Sequence, residues 1–368
     1  MKVYLDSFPE PKDDVDRTIA HFLCRVGGKS ELFKDVIGFC AIPFFLLLYW
    51  INGLFPVKSN KHRAILIHLT SLSYHTDDRF PEELKREFGE VYTAGFKRYP
   101  FRFRGILDAE TFACWRNLFR RGRRYGFLCF FSLVSLASMN RLLKEYQPEA
   151  IINYRAESNY ASSLLTCLCE QKGTEYICYM HGEYLNSGER AFVRFSRMYL
   201  WDEGYRDVFA WSRSADSRMY VYTPGVYRTK FEERDSFPYY LAYYFSGNDR
   251  CAEMIAEELS ALVRRGLQCK VRPHPRFSDL ALLKKAFEEK GIPVEDAKSI
   301  DIVDSINETE HVAALFSSVL TQAYYGGKKI VIDDVSAPEK FDELEERNCI
   351  ILKKEYRLLS EMVSTKET

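Results

Sequence analysis

A histidine held between two prolines and flanked by two arginines, Arg272-Pro273-His274-Pro275-Arg276, is the densest phosphate-binding chemistry in the chain. Guanidinium and imidazole N–H groups suit an anionic oxygen. The prolines fix the backbone on both sides, which would aim the imidazole in one direction. A serine pair, Ser317-Ser318, follows. Two hydroxyls at a helix start, beside its unpaired N–H groups, also make an anion site. A third loop, Ser246-Gly247-Asn248-Asp249, is small and polar. Each has a plainer reading as well: a rigid turn at His274, an N-cap at Ser317 and a helix-initiating turn at Ser246. The flanking arginines favour phosphate at His274. At Ser317 capping and phosphate binding use the same N–H groups, and the two readings stay open.

These residues need a frame. Residues 268–271 read as a strand before His-Pro, and 312–316 as a strand before Ser-Ser. A helix then runs through Thr321 and Ala323 to Gly326-Gly327, and 329–333 is a further strand. Strand–helix–strand order is the unit of a parallel sheet, whose ligands gather outside the carboxyl ends of the strands. Upstream, 62–69, 91–96, 149–154, 175–180, 198–201 and 219–222 read as strands, with helices over 81–88, 127–146 and 160–171. The alternation predicts an α/β chain of two Rossmann-like domains. Their expected bounds are 62–230 and 238–368, after an apolar extension over 1–61, with 227–238 as a polar link.

Two strand ends of the first domain carry acid–base groups, His181-Gly182-Glu183 and Asp202-Glu203-Gly204. Either set could take a proton from an acceptor hydroxyl. Asp202 could equally cap a helix from Tyr205 onward.

The ordered set of His-Pro, Ser-Ser, small-residue helix and apolar strand resembles the donor domain of bacterial sialyltransferases, polysialyltransferases and Kdo transferases of surface-glycan assembly, which have the two-domain GT-B fold. Residues 271–275 with Ser317-Ser318 are also similar to the CDP-glycerol glycerophosphotransferases of teichoic-acid synthesis. The resemblance spans 150–335 and fades toward the N-terminus. It implies that His274-Pro275 and Ser317-Ser318 contact the nucleotide and phosphate of a cytidine-activated donor. Arg272, Arg276, Ser246 and Gly247 join that set by position.

On the base the two resemblances differ. Asp202-Glu203-Gly204 resembles the triplet that supplies the base in sialyltransferases, whereas His181-Gly182 resembles the His-Gly element of the glycerophosphotransferases. The candidates are therefore Asp202, Glu203, His181 and Glu183. Asp202 leads, because the residues after His181-Gly182 depart from the glycerophosphotransferase pattern. The implied activity is transfer of a sialic acid- or Kdo-like sugar from a CMP donor to a surface glycan, without cofactor or metal. The alternatives are a CDP-polyol phosphotransferase and a non-catalytic glycan- or lipid-binding partner in capsule assembly.

Composition sets outer bounds. A chain of 368 residues suggests two domains, and 46% apolar residues with 27 Phe and 24 Tyr can fill two cores. Zero formal net charge implies no bulk attraction to nucleic acid. The ten cysteines form no CxxC pair, and those in apolar runs, such as Cys40, Cys129 and Cys178, read as buried reduced thiols. Phosphate-loop, dinucleotide, HExxH and GxSxG motifs are absent from the sequence, and the acidic pairs Asp77-Asp78 and Asp333-Asp334 are by themselves poor evidence for a metal. No secretory signal opens the sequence, so a cytoplasmic location, peripheral at the inner membrane face, is expected.

Two stretches point toward a membrane. Residues 36–55 are an apolar run that barely reaches the length of a spanning helix and is followed by Lys58, Lys61 and Arg63. A monotopic or re-entrant membrane element and a buried or partner-covered helix or hairpin both fit it. Residues 97–124 interleave Lys97, Arg98, Arg102, Arg104, Arg116, Arg120, Arg121, Arg123 and Arg124 with aromatics. Anionic headgroups, an anionic glycan or plain solvent would suit that surface.

Overall fold

The computed structural model describes residues 5–26, 32–68, 80–95, 103–154, 156–180, 182–215, 217–231, 234–247 and 249–364. The chain forms two compact units, Met1–Thr223 and Pro224–Thr368. His181, Asn248, Asp77-Asp78, Lys97, Arg98 and Arg102 lie outside the described residues.

The first unit opens with helices α1 (Asp14–Arg25) and α2 (Leu32–Gly53). There follow β1 (Ala64–His68), α3 (Glu82–Phe88), β2 (Val91–Gly95), α4 (Ala109–Gly122), α5 (Gly126–Tyr146), β3 (Ala150–Tyr154), α6 (Ser162–Gln171), β4 (Glu175–Tyr179), β5 (Arg197–Leu200), α7 (Tyr205–Trp211) and β6 (Arg218–Val221). The six strands are all parallel in the order β2-β1-β3-β4-β5-β6. Helices on its faces leave the inner strands no solvent side, so Ala64 to Ile67, Ala150 to Ile152 and Tyr176 to Tyr179 are buried without alternation. At the edge, β6 exposes Tyr220 and Val221.

The second unit contains β7 (Tyr239–Tyr244), α8 (Ala252–Arg264), β8 (Cys269–Arg272), α9 (Leu280–Glu288), α10 (Ile302–Asn307), β9 (Thr309–Ala314), α11 (Ser318–Tyr325), β10 (Lys329–Ile332), α12 (Pro338–Glu346), β11 (Arg357–Leu358) and α13 (Leu359–Ser364). Its five parallel strands run β11-β10-β9-β7-β8. Leu241, Ile255, Leu259, Val271, Phe287 and Val331 are in its core. The expected α/β architecture with two Rossmann-like sheets is therefore present. β9 starts earlier than its apolar run, because Thr309 pairs with Tyr239 and the His311 ring bonds the Tyr240 carbonyl.

Residues 1–61 do not stand apart as an extension; their helices pack into the first unit. Arg194 grips Asp14 with two bonds of 2.7 and 2.8 Å, and Arg121 binds Asp13 and Asp16. The apolar run is one continuous helix, α2, not a hairpin. It crosses α5 so closely that a Cβ on Gly126 would lie 2.2 Å from the Asp35 carbonyl oxygen. Asp35 also accepts from the Phe127 N–H at 2.9 Å and so caps α5. Only one face of α2 is covered: Asp35, Gly38, Ile42 and Tyr49 are buried, while Cys40 is exposed on the opposite side. The expectation of a buried thiol holds for Cys129 and Cys178 but not for Cys40, because the apolar run continues around the outward face. The stretch expected to link the domains packs on the second unit. The Phe231 N–H bonds the Gly326 carbonyl at 3.1 Å, and Lys328 sits 4.0 Å from the Phe237 ring centroid.

His21 on α1 is 1% exposed and donates Nε2–H to the Glu189 carbonyl at 3.0 Å. Burial pushes its imidazole down to about 4. The unfolded chain, with an ordinary value of about 6.5, then binds more protons than the folded one. Stability should be full above that value and fall as pH drops toward 4, by up to about 3 kcal/mol. Urea unfolding of wild type and His21→Gln between pH 7 and 4 checks this. A difference that does not change with pH would show that His21 is not held neutral.

Candidate functional site

In the second unit the chain order reverses direction between β7 and β9, the place where open α/β sheets leave a ligand crevice at their carboxyl edge. Three loops leave that edge from neighbouring strands. Pro273-His274 follows β8, Ser246-Gly247 follows β7, and Phe316-Ser317 follows β9.

The loops are built to hold position. Ser317 N-caps α11, its Oγ accepting from the Val319 N–H at 3.3 Å, which leaves its O–H to donate. Ser318, the first residue of the helix, is exposed. His274 accepts the Arg276 N–H on Nδ1 at 3.1 Å, so the neutral ring carries its proton on Nε2. Partial burial, with help from the Arg276 charge, holds His274 below the ordinary imidazole range and favours that neutral form. The His274 N–H donates to Ser278 Oγ at 2.9 Å, and Ser278 donates to Asp249 at 2.9 Å. Asp249 therefore ties the loop after β7 to the His-Pro loop. Gly247 completes the tie. It sits at φ +96°, and a Cβ there would meet Phe277 Cβ at 2.7 Å. Phe277 stacks on His274 with ring centroids 4.5 Å apart. Pro275 and Arg276 are exposed at the turn.

Arg272 requires a correction. It is the last residue of β8, and its side chain turns into the unit. Nη1 donates to Glu295 at 2.6 Å and Nη2 to the Ile300 carbonyl at 2.8 Å. Glu295 also takes Lys270 Nζ at 2.8 Å and Ser305 Oγ at 2.6 Å. With its fork used this way and its side chain only 7% exposed, Arg272 anchors the strand from which His274 projects. Sequence missed two neighbours of His274. Asp249 looked like an ordinary turn residue, and Phe277 carried no signal beyond its nearness in the chain.

In the first unit the candidate acids lie on adjacent strand ends. Glu183, in the loop after β4, accepts the Tyr205 O–H, and Tyr205 begins α7, which follows β5. Asp202 Oδ1 accepts from the Gly204 N–H at 2.8 Å, an Asx-type turn into α7. That bond gives Asp202 a turn-making role at the start of α7. Glu203 is exposed and paired with Arg206. Glu157, beyond the end of β3 at the same edge, is a fully buried carboxylate that sequence reading passed over. It accepts from Cys178 Sγ at 3.5 Å and lies 3.9 Å from Arg190 Nε.

The acidic pair Asp333-Asp334 is spent on structure. Asp333 accepts from Tyr243 O–H and from two backbone N–H groups, and Asp334 binds Ser360. A cavity of 710 Å³ lined by Tyr240, His311, Tyr324, Lys329, Tyr356 and Arg357 opens at the amino ends of the same strands. That is the wrong edge for a ligand of the His274 and Ser317 loops.

No protein-family model matches this chain, and no curated protein matches it. Among solved structures it is similar to the calicheamicin glycosyltransferase CalG4, at 10% identity and a TM-score of 0.42, over 78% of this chain and 84% of that one. It is also similar to a putative UDP-N-acetylglucosamine 2-epimerase from Listeria monocytogenes, at 12% identity and 0.45, over 77% and 82%. The wall teichoic acid polymerase TagF is similar at 10% identity and 0.44, over 95% and 87%.

Proposed function

We propose that the chain is a glycosyltransferase of GT-B type that moves a sialic acid- or Kdo-like sugar from a CMP-activated donor to a glycan acceptor. The observation that carries this reading is that three loops, at His274, Ser246-Gly247 and Ser317-Ser318, leave the carboxyl ends of neighbouring strands at the switch point of the second sheet. The His274-Pro275 and Ser317-Ser318 elements resemble those of cytidine-donor transferases.

In the step itself, the acceptor oxygen bonds to the anomeric carbon as the bond from that carbon to the phosphate oxygen breaks. The electron pair leaves on CMP. His274 Nε2–H, the Ser317 and Ser318 hydroxyls and the Arg276 side chain would meet that charge. These groups are fixed before the reaction, so little reorganisation is needed as the charge develops. Arg272 acts by holding the end of β8. An acid of the first unit, with Asp202 preferred, takes the acceptor proton.

A nucleotide series tests the donor. CMP and CDP should raise the melting temperature more than UMP or GDP at equal concentration. A ligand at 100 times its Kd stabilises by about 2.7 kcal/mol. His274→Ala should remove most of the shift and leave the unliganded melting temperature nearly unchanged. A preference for uridine or guanine nucleotides would count against the assignment. Turnover of CDP-polyols instead of CMP-sugars would favour the phosphotransferase, and binding without any turnover the non-catalytic partner.

A further inference from the structure

Helix α2 inverts the usual pattern of a surface helix. Its covered face carries Asp35, Gly38, Ile42 and Tyr49, while its outward face is apolar. Phe33, Val36, Phe44, Leu47, Trp50 and Leu54 are between 52% and 77% exposed. A continuous apolar strip of this kind marks an interaction site. The neighbouring helix α4 supplies charge beside it. Phe39 of α2 meets Phe119 of α4 edge-on, with ring centroids 6.5 Å apart. Arg116 and Arg123 lie three and four residues from Phe119, and Arg120 lies four and three residues from those two arginines, so the three share one face of the segment. All three are exposed, as are Arg124 on the same segment and Lys58 and Lys61 beyond the end of α2. Arg121, one position off that face, is instead neutralised by Asp13 and Asp16.

We propose that this face docks on an anionic lipid bilayer, with α2 lying in the plane of the interface. Its apolar side enters the acyl boundary, and the arginines of α4 sit among the headgroups. Two other occupants fit less well. At 22 residues α2 is long enough to span, but it is fastened to the first unit along its whole length. Asp35 holds the Phe127 N–H, the Tyr49 carbonyl accepts the Leu107 N–H at 3.2 Å, and Asn52 Nδ2 donates to the Phe103 and Gly105 carbonyls at 2.8 and 2.9 Å. Spanning would break all of these. A second copy on a two-fold axis would press the same patch on itself and set one arginine rim near the other.

The test uses the full chain and vesicles of phosphatidylcholine with or without phosphatidylglycerol. Wild type should sediment with the anionic vesicles, less with neutral ones, and less again as salt rises. Arg116→Glu with Arg120→Glu should weaken anionic binding by about tenfold or more. Leu47→Glu with Trp50→Glu should abolish binding to both vesicle types. Both pairs are exposed, and unchanged melting temperatures would confirm that the fold survives. Lipids brominated near the headgroup should quench Trp50 more than lipids brominated at the chain end, with Trp50→Phe as the reference. Wild type that stays in the supernatant overturns the proposal, as does a stable dimer that Leu47→Glu with Trp50→Glu dissociates. Stronger quenching from the chain ends overturns the in-plane placement. None of these readouts involves a nucleotide, so failure here is distinct from failure of the donor assignment.

Discussion

Asp202→Asn should lower transfer by about 10²- to 10⁴-fold, the usual contribution of a positioned general base, and leave CMP binding intact. The substitution is a clean one. Asp202 Oδ1 accepts the Gly204 N–H, and an asparagine oxygen can accept the same bond, so the turn into α7 should persist. His181→Asn is the matched comparison. A carboxylate base gives an activity profile that falls on the acid side near about pH 4, and an imidazole base one that falls near about 6.5, before any environmental shift. Transfer kinetics across pH 4–8, with donor binding measured separately, tell them apart. If both variants bind donor and transfer at near-normal rates, neither Asp202 nor His181 is the base.

Removing the Glu295 carboxylate should be the most destabilising single change in the second unit. Lys270, Glu295 and Arg272 have side chains only 3%, 4% and 7% exposed, and Glu295 is the counter-charge to both cations. Burial alone would push the Glu295 carboxyl up, but bonds from Lys270, Ser305 and Arg272 outweigh it and hold the group below its ordinary value. Glu295→Ala leaves Arg272 buried without its Glu295 counter-charge, while Lys270 keeps the Glu308 carboxylate at 3.0 Å, a loss of about 3 kcal/mol on the scale of broken buried pairs. The pair's stabilisation should be present above the ordinary carboxylate range and be lost as pH falls through the lowered value. Urea unfolding of the two proteins at pH 7 and at pH 3 would measure both effects. A variant as stable as wild type at pH 7 would mean that water reaches the triad. Since Arg272 also bonds the Ile300 carbonyl, Glu295→Ala should loosen the end of β8 and weaken nucleotide binding as well.

Much of the frame could be read locally. Strands β3, β4, β7 and β8 fall within about two residues of their apolar runs, within the usual uncertainty of element boundaries. Each is short and almost wholly buried, which is what a strand covered on both faces requires, and in β8 the charges of Lys270 and Arg272 are matched by Glu295. Ser317 was legible as a cap for a similar reason, since its partner is two residues away. Glu157 was not legible. It is separated in sequence from Cys178 and Arg190, and only the pairing of β3 with β4 brings them near.

Local signals carried the two parallel sheets and the carboxyl-edge position of His274 and Ser317, because periodicity, capping and turn chemistry act over a few residues, whereas they left helix and hairpin open for the apolar run. Tertiary structure alone decided which way the charged side chains point. Arg272 faces inward because Glu295, 23 residues away, is brought beside it by the pairing of Val294 with Val271 of β8. Asp249 became a brace for His274 because β7 and β8 are neighbours. The apolar face of α2 points outward because Gly38 and Gly126 let the other face approach α5 more closely than any side chain would allow. An apolar run reads alike whether protein or lipid covers it. Which face is buried is settled by the shape of the helix partner, and that shape is not a local property of the chain.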